Sequence, residues 1–432
     1  MKLNKKSLFQ IHSWIGVKLS ILFFIVCFSG TLATLSNEMD WLFYPGLRAS
    51  GDGDRKSYNQ LAREVQKAYP DGELTYWEMG DEPYLNDIVY VELEGQRYYV
   101  FVDPVKGQVT GSTTVTFQRF FRDFHYYLFM PFNQIGYFIV LVFAFFLLVS
   151  MITPLFFYKK WWNKLFELKT GKGLLVLFRS LHRVVGLWTV PFALLMSITG
   201  IWYFIERTNI GRVSDISNPL APKLEEKAHS YDATSSITYQ LDYDRAATLA
   251  LEKIPGLQIG NIVPGSKVSE PIYINGKSHV PLVRKRSNRV YVDPVSYRVV
   301  GLQKAEEIPT TMYLNDIADP LHFGNWGGLT TKIIWFFGGL AICSLILSGI
   351  WIALKRQAKQ VAEKGLKVLG VWKYLNWGIS LTILGYMYYF MVDRYAASWS
   401  SILLVTSVLG FLALMVWYLF DFRLKKSVKS IV

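Results

Sequence analysis

The stretch FRSLHRVVGLWTVPFALLMSITGIWYFIE, residues 178–206, decides the fold because its pattern also opens the chain. Residues 8–36 read LFQIHSWIGVKLSILFFIVCFSGTLATLS. A shift of 170 positions superposes three pairs of residues: His12 and His182, Gly16 and Gly186, and Gly30 and Gly200. At about 100° per residue, the first glycine lies one helical turn from the histidine and the second lies five turns away. If each copy is one continuous helix, its histidine and glycines form a stripe against which a large flat macrocycle could lie.

Long apolar runs dominate the composition of this chain of 432 residues, which is 51% hydrophobic. Six runs are long enough to cross a bilayer, which takes about 20 residues. The sequence therefore predicts a polytopic α-helical membrane protein.

Charged residues are distributed unevenly, although the formal net charge is +13. Residues 36–132 hold 9 basic and 15 acidic side chains, and residues 206–330 hold 14 of each. The N-terminus, the two short loops between spans and the C-terminal tail hold 21 Lys and Arg against 3 acidic residues. Such segments mark the cytoplasmic side of a membrane. We therefore expect both termini and the short loops inside, and the excess of basic residues needs no nucleic-acid partner.

The two long outer segments repeat the same α+β plan. Each begins with a predicted helix, Tyr58–Tyr69 or Tyr243–Lys253, and continues in short alternating runs. In the first segment we predict strands at 74–77, 87–93 and 96–103, and in the second at 272–274, 280–285 and 289–292. They close with VFVDPVKGQVTG, residues 100–111, and VYVDPVSYRVVG, residues 290–301.

The chain is therefore predicted to be a tandem duplication of transmembrane helix, periplasmic α+β domain and transmembrane helix, with two extra C-terminal transmembrane helices. The predicted order is span 8–36, outer domain 37–132, span 133–158, inner loop 159–179, span 180–206, outer domain 207–329, span 330–355, inner loop 356–370, and spans 371–392 and 399–421.

Four histidines belong to the repeat, and the predicted topology sorts them by side of the membrane. His12 and His182 begin spans that start inside, whereas His125 and His322 precede spans that start outside. If the two halves face each other about a pseudo-twofold axis, each side has two opposed imidazoles. Two imidazoles on opposite sides of one plane are the axial ligands of a b-type haem. We therefore predict two haems per chain, with these histidines as iron ligands and electron transfer as their role.

Other residues of the pattern could serve the same sites. Gly16 and Gly186 would flatten the inner site, and Gly30 and Gly200 the outer one. Arg179 and Arg183 are candidate partners of inner haem propionates, and Arg119 and Arg122 of outer ones. As basic residues near membrane interfaces, these arginines are equally typical of topology signals or solvated loops.

Alternative interpretations of the histidines stay open. They could be polar residues that reach an interface, part of a metal-ion site or a proton relay. His229 and His279 lie in polar stretches outside the repeat and are expected to be solvated. Cys27 and Cys343 fall in apolar spans and are expected to act as small buried hydrophobic residues.

One long segment carries a family resemblance. Residues 321–356, LHFGNWGGLTTKIIWFFGGLAICSLILSGIWIALKR, resemble the signature span of the PepSY-associated transmembrane proteins. The two V-D-P turns resemble those of PepSY modules, and the H-x-x-x-G openings of the first and third spans are similar to that family too. The resemblance covers about residues 8–356.

The resemblance implies a fold, a place and an activity. Family members are bacterial inner-membrane proteins, and the best understood are di-haem ferric-siderophore reductases. By that resemblance His12 and His182 would ligate a cytoplasmic-side haem, and His125 and His322 a periplasmic-side haem. Electrons from a cytoplasmic or quinol donor would reduce a periplasmic ferric siderophore and release Fe(II). The last two predicted spans have no counterpart in the four-span pattern.

Two further classes of function remain. The chain could be a non-redox envelope protein that displays PepSY modules for binding or inhibition, or a transporter, as its repeat suggests. A nucleotide cofactor is not expected, because no G-x-G-x-x-G motif follows a predicted strand. For a reductase, we expect Tyr126, Tyr127 and Trp326 to line a shallow outer substrate site.

Overall fold

The structure is a computed structural model that describes residues 4–51, 53–224, 236–356 and 370–418. The chain divides into two units. The helical unit comprises Met1–Leu35, Phe121–Phe204 and Lys332–Val432, and the sheet unit comprises Ser36–Phe120 and Ile205–Thr331. Each unit therefore draws on both halves of the sequence.

Helices account for most of the described residues. In chain order they are α1 Lys5–Lys18, α2 Ser20–Ala33, α3 Ser36–Phe43, α4 Tyr58–Ala68, α5 Phe117–Tyr127, α6 Asn133–Phe157, α7 Leu174–Trp188, α8 Val190–Arg207, α9 Val213–Ser217, α10 Tyr243–Lys253, α11 Thr310–Phe323, α12 Gly328–Arg356, α13 Trp372–Tyr389 and α14 Trp399–Trp417.

Two helices are long and apolar enough to cross a membrane by themselves, namely α12 and residues Gln134–Phe157 of α6. The pair α1 and α2 and the pair α7 and α8 also qualify if each is one span. Helix α14 contains a shorter apolar stretch, Trp399–Met415. The described helices thus provide two to four such spans, against the six predicted, and residues 357–369 and 419–432 lie outside the described part.

Both copies of the opening stretch are broken helices. The axes bend by 72° between α1 and α2 and by 59° between α7 and α8. The breaks fall at Leu19 and Thr189, which the shift of 170 positions superposes. The prediction of one straight stripe from histidine to second glycine is therefore wrong in both copies.

Hydroxyl groups and a proline account for these breaks. Ser20 Oγ donates to Val17 O at 3.0 Å, and Thr189 Oγ1 donates to Val185 O at 2.9 Å. Hydroxyls that bond back to a carbonyl of the preceding turn bend helices. In the second copy Pro191 also lacks the N–H that a continuous helix needs.

The first break is held from the C-terminal part of the chain. Asn376 on α13 is almost fully buried, and its Nδ2 donates to Lys18 O at 2.9 Å. This bond satisfies a carbonyl group at the interruption of the helix.

An apolar core cluster lies among the described residues of the helical unit. Its buried members come from α1, α2, α6, α8, α12 and α13 and from the segment after α5: Ile15, Leu19, Leu22, Phe23, Val26, Leu128, Phe143, Ala193, Ile342, Ile346 and Ile383. The core therefore joins helices from both repeats with the first of the extra C-terminal helices.

The sheet unit contains one antiparallel sheet of eight strands. The strands are β1 Glu73–Glu78, β2 Asp87–Leu93, β3 Gln96–Asp103, β4 Gln108–Thr113, β5 Gln258–Val263, β6 Ile272–Lys277, β7 Asn288–Val292 and β8 Val299–Gln303. Their order is β4-β3-β2-β1-β5-β6-β7-β8, so each half of the sequence supplies four neighbouring strands. The halves join where Trp77 pairs with Ile262 and Glu78 with Asn261.

The two closing V-D-P segments form matching turns, as predicted. Asp103 Oδ1 accepts hydrogen bonds from the N–H groups of Val105 and Lys106, both at 2.9 Å. Asp293 Oδ1 accepts from the N–H groups two and three residues further on, at 2.9 and 3.0 Å. An aspartate that bonds the backbone ahead of it in this way is the usual chemistry of such a turn.

Most predicted elements of the outer segments are confirmed, but one strand is wrong. Helices α4 and α10 and five of the six predicted strands are present. Residues 280–285 instead contain Leu282 with a φ of 58° and lead into a short 3-10 turn, Lys285–Ser287. Strands β4 and β8 follow the two V-D-P turns, and β5, the first strand of the second half, was not predicted.

Candidate functional site

The inner histidines of the repeat lie side by side in the helical unit. His12 on α1 and His182 on α7 have ring centroids 6.4 Å apart and ring planes at 81° to each other. With metal–nitrogen bonds of about 2.0–2.1 Å and a ring nitrogen about 1.1 Å from its ring centre, two imidazoles on opposite sides of one metal have centres about 6.2–6.4 Å apart. The centroid distance of this pair falls within that range.

Hydrogen bonds hold one nitrogen of each ring. His12 Nδ1 lies 2.9 Å from Ser150 O on α6, and His182 Nδ1 lies 2.9 Å from Ser348 Oγ on α12. A backbone carbonyl can only accept, so Nδ1 of His12 carries its proton. In a neutral imidazole this leaves Nε2 as the nitrogen whose lone pair can bind a metal.

The inner glycines leave space beside this pair. A Cβ added at Gly16 would meet nothing within 4 Å, and one added at Gly186 would meet only Leu345 Cδ2, at 3.7 Å. Both helices therefore present a flat, accessible surface one turn after their histidine.

The second glycines contact protein groups instead. A Cβ on Gly30 would lie 2.8 Å from Cε1 of His125, and one on Gly200 would lie 2.7 Å from the Cβ of Ala144. Gly30 thus receives the imidazole of His125, whose Nδ1 also lies 3.1 Å from Ser29 Oγ. Gly200 allows α6 to approach α8 closely.

The outer histidines fall in different units. His125 lies near the end of α5, in the helical unit, and His322 lies near the end of α11, in the sheet unit. The ring of His322 lies against that of Phe323, with centroids 5.8 Å apart.

A buried carboxylate caps the helix that carries His125. Asp40 on α3 accepts hydrogen bonds from Phe117 N at 2.5 Å and Gln118 N at 3.0 Å, the first two residues of α5. Burial raises the pKa of Asp40 to about 7, against the effect of these two bonds. The cap therefore titrates close to neutral pH.

The candidate propionate partners differ in their surroundings. Arg183 is partly buried; it donates to Tyr158 OH at 2.9 Å and also to Glu167 O. Arg179 is exposed. Arg122 lies over the ring of Tyr126, 5.7 Å from its centroid. Arg119 lies on α5 within the sheet unit.

The remaining candidates are placed as follows. Tyr127 is buried, its ring centroid 6.4 Å from that of Phe390, whereas Trp326 in the sheet unit is half exposed. His279 is exposed and lies 3.4 Å from Glu306, as expected for a solvated residue, and His229 lies outside the described residues.

The sequence analysis missed the serines that hold the imidazoles. Ser150 and Ser348 end the similar runs LLVS, residues 147–150, and LILS, residues 345–348. This weak internal match was the available signal, because both runs occupy the second span of their repeat. Ser29 immediately precedes Gly30, a position that the repeat had already singled out.

The extra C-terminal helices supply a second missed feature. Tyr395, just after α13, donates through its hydroxyl to Asp123 Oδ2 at 2.5 Å, and both residues are buried. The ring of Phe390 packs against that of Phe129, with centroids 5.7 Å apart. These contacts hold the segment on either side of His125.

Among the described residues, no group of three or more His, Cys, Asp or Glu side chains could hold a metal ion. Cys343 is buried, with its Sγ 3.9 Å from Thr31 Oγ1, and neither it nor Cys27 forms a disulfide.

Comparison with known proteins identifies a family for this chain. The family model described as PepSY-associated TM region matches residues 9–356. No curated protein matches this chain. The match covers both repeats and ends at the last residue of α12.

Proposed function

The chain belongs to the PepSY-associated TM family, a family of membrane proteins, and from that premise we propose that it is a di-haem oxidoreductase. It passes electrons from the cytoplasmic side of the bacterial inner membrane to a ferric siderophore or similar iron chelate in the periplasm. Each chelate accepts one electron, and the resulting Fe(II) is held less tightly by the oxygen ligands and is released.

The observation that carries this proposal is the inner histidine pair. Its ring spacing of 6.4 Å matches two axial ligands of one iron, and each Nδ1 already has a hydrogen-bond partner. A porphyrin supplies the other four iron ligands, so two histidines suffice. Gly16 and Gly186 leave room beside the pair.

The protein residues position and isolate the cofactor. Ser150 O and Ser348 Oγ hold Nδ1 of His12 and His182, which leaves Nε2 of each ring available to iron. When bound, a bis-histidine haem supplies one-electron transfer, because both axial positions are filled. His125 and His322 are the proposed ligands of the outer haem, by analogy of the repeat and of the family.

The first experiment is a reduced-minus-oxidised visible spectrum of the purified protein with a pyridine haemochrome assay. We expect two b haems per chain, and about one after His182→Ala. The matched control is His279→Ala, because His279 is exposed and lies outside the repeat. The reduced wild type should then be reoxidised by a ferric siderophore, with one Fe(II) formed per electron lost.

Three outcomes would count against the proposal. A colourless protein from haem-replete cells would favour a membrane-anchored PepSY binding or inhibitory protein. Unchanged haem content in His182→Ala would remove the inner site. Haem that stays reduced in the presence of ferric chelates would refute the assigned substrate.

A further inference from the structure

Two serine–glycine dipeptides in the helical unit each hold one imidazole of the repeat. Ser29-Gly30 at the end of α2 contacts His125, and Ser348-Gly349 on α12 contacts His182. In both cases the serine Oγ lies at the ring Nδ1, at 3.1 and 2.9 Å, while the glycine faces the ring Cε1. We call this arrangement the Ser–Gly seat.

The hydroxyl in each seat donates its hydrogen bond to a backbone carbonyl. Ser29 Oγ donates to Val26 O at 3.0 Å, and Ser348 Oγ donates to Leu345 O at 3.2 Å. With that proton directed to the carbonyl, the serine oxygen is left to accept from the imidazole N–H, and the backbone carbonyls of Val26 and Leu345 accept from His125 and His182 as well. Each seat therefore places the ring proton on Nδ1 and leaves the lone pair on Nε2.

The glycine in each seat sets how closely the ring approaches the helix. A Cβ at Gly30 would lie 2.8 Å from Cε1 of His125, and a Cβ at Gly349 would lie 3.4 Å from Cε1 of His182. Contacts below 3.0 Å force a shift, so the first seat admits glycine alone without rearrangement. The second seat is slightly wider.

We propose that the Ser–Gly seats are positioning devices that fix the proton and the ring plane of His125 and His182 for axial ligation of iron. This inference rests on the proposed function. A group that accepts a hydrogen bond from the N–H of a ligating imidazole makes the ring a stronger ligand. Removal of that group commonly weakens metal affinity about 10- to 100-fold. Without that hydrogen bond the imidazole is a poorer electron donor to ferric iron, so the reduction potential of the haem rises.

The ring plane gives a spectroscopic signature. The imidazole planes of His12 and His182 are at 81°. Low-spin ferric haems with nearly perpendicular axial imidazoles give a highly anisotropic electron paramagnetic resonance signal, whereas parallel planes give a well-resolved rhombic one. We expect the anisotropic signal for the inner haem of the wild type.

The test compares Ser348→Ala with Ser344→Ala. Ser344 lies one turn earlier on α12, is exposed, and likewise donates to a carbonyl three residues back, but it contacts no imidazole among the described residues. We expect Ser348→Ala to bind the inner haem about 10- to 100-fold more weakly. The reduction potential of the inner haem should also be higher in Ser348→Ala, and its electron paramagnetic resonance signal should change. Ser344→Ala should match the wild type in all three measurements.

The first seat offers a rescue. The repeat superposes Ser29 on Thr199, so a threonine hydroxyl occurs at the equivalent position. Ser29→Ala should change the outer haem in the same way, and Ser29→Thr should restore it. A purely structural role would not depend on the hydroxyl in this manner.

A second measurement tests the hydrogen bond in the seat independently of haem binding. Histidine-selective nitrogen-15 resonance of the reduced protein reports whether the Nδ1–H of His182 is protected from solvent exchange. We expect protection in the wild type and in Ser344→Ala, and weaker protection in Ser348→Ala, where Leu345 O remains as an acceptor. If Ser348→Ala and Ser344→Ala have the same Nδ1–H protection, the same haem reduction potential and the same paramagnetic resonance signal, the proposed role of the Ser–Gly seat is wrong, even if both haems are present. A haem-free wild type would instead overturn the proposed function, while the protected proton would still identify the seat as a device that orients the ring.

Discussion

Replacement of Gly30 by alanine tests the closest contact in the candidate site. The added Cβ would lie 2.8 Å from Cε1 and 3.1 Å from both ring nitrogens of His125. Overpacking of this kind costs about 1–3 kcal/mol, and displacement of the ring from Ser29 costs about 1 kcal/mol more. Alanine in place of glycine in a helix returns about 1 kcal/mol. We therefore expect Gly30→Ala to lower the free energy of unfolding by about 1–3 kcal/mol.

The matched control is Gly378→Ala on α13, where an added Cβ would meet nothing within 4 Å. There only the helix propensity changes, which stabilises by about 1 kcal/mol. The free energies of unfolding of the two variants, measured in the same detergent micelles, should thus differ by about 2–4 kcal/mol. Equal stability of the two variants would refute the packing of His125 against Gly30. Haemochrome content should fall only in Gly30→Ala, since the added methyl group displaces the ring of His125, a proposed haem ligand.

Three further changes test other parts of the molecule. The pKa of Asp40 is raised from 3.8 to about 7, so its contribution to stability is greatest at low pH and is lost as the pH rises from about 4 to 7. Asp40→Asn should remove this pH dependence of the unfolding free energy, which amounts to about 4 kcal/mol at about 1.4 kcal/mol per pKa unit. Unfolding measured across this pH range tests it, and a pH dependence that persists in the variant would contradict the assignment to Asp40. Asn376→Ala, which removes the bond to Lys18 O, should cost about 1–3 kcal/mol of unfolding free energy. The exposed Thr382→Ala should stay within about 0.5 kcal/mol, and equal losses would show that the bond does not hold the break. Gly16→Leu adds a side chain where a Cβ meets nothing, so the protein should remain folded but lose inner haem in the visible spectrum; full haem content would place the macrocycle elsewhere.

Local patterns in the sequence predicted the sheet unit well. Alternating runs and V-D-P turns identified most strands, because side-chain alternation and turn chemistry act within a few residues. The prediction failed at 280–285, where a short apolar run suggested a strand but Leu282 has a left-handed backbone. It also missed β5, in which Gly260 interrupts the run and Pro264 closely follows it. The edge-to-edge union of the halves at Trp77 and Ile262 depends on pairing between distant segments, which local patterns do not encode.

The broken helices show a similar limit. Pro191 is a visible signal for the second break, but the equivalent position in the first copy is Ile21, which carries none. There the bend is stabilised by Asn376, 358 positions from Lys18 in the chain. A helical pattern at a constant 100° per residue describes one segment only, so it cannot predict a bend that a residue so distant in the sequence stabilises.

The repeat predicts the pairing of His12 with His182, which the structure shows, but the two rings are held differently. His12 bonds a backbone carbonyl at Ser150, whereas His182 bonds the hydroxyl of Ser348. Met151 follows the first serine and Gly349 the second, so only the second position has the glycine that lets a ring approach a serine side chain. The two proposed axial ligands of the inner haem are therefore chemically unequal. The Ser150 carbonyl is kept whatever side chain stands at that position, so a substitution at the bonding residue tests only the contact to His182.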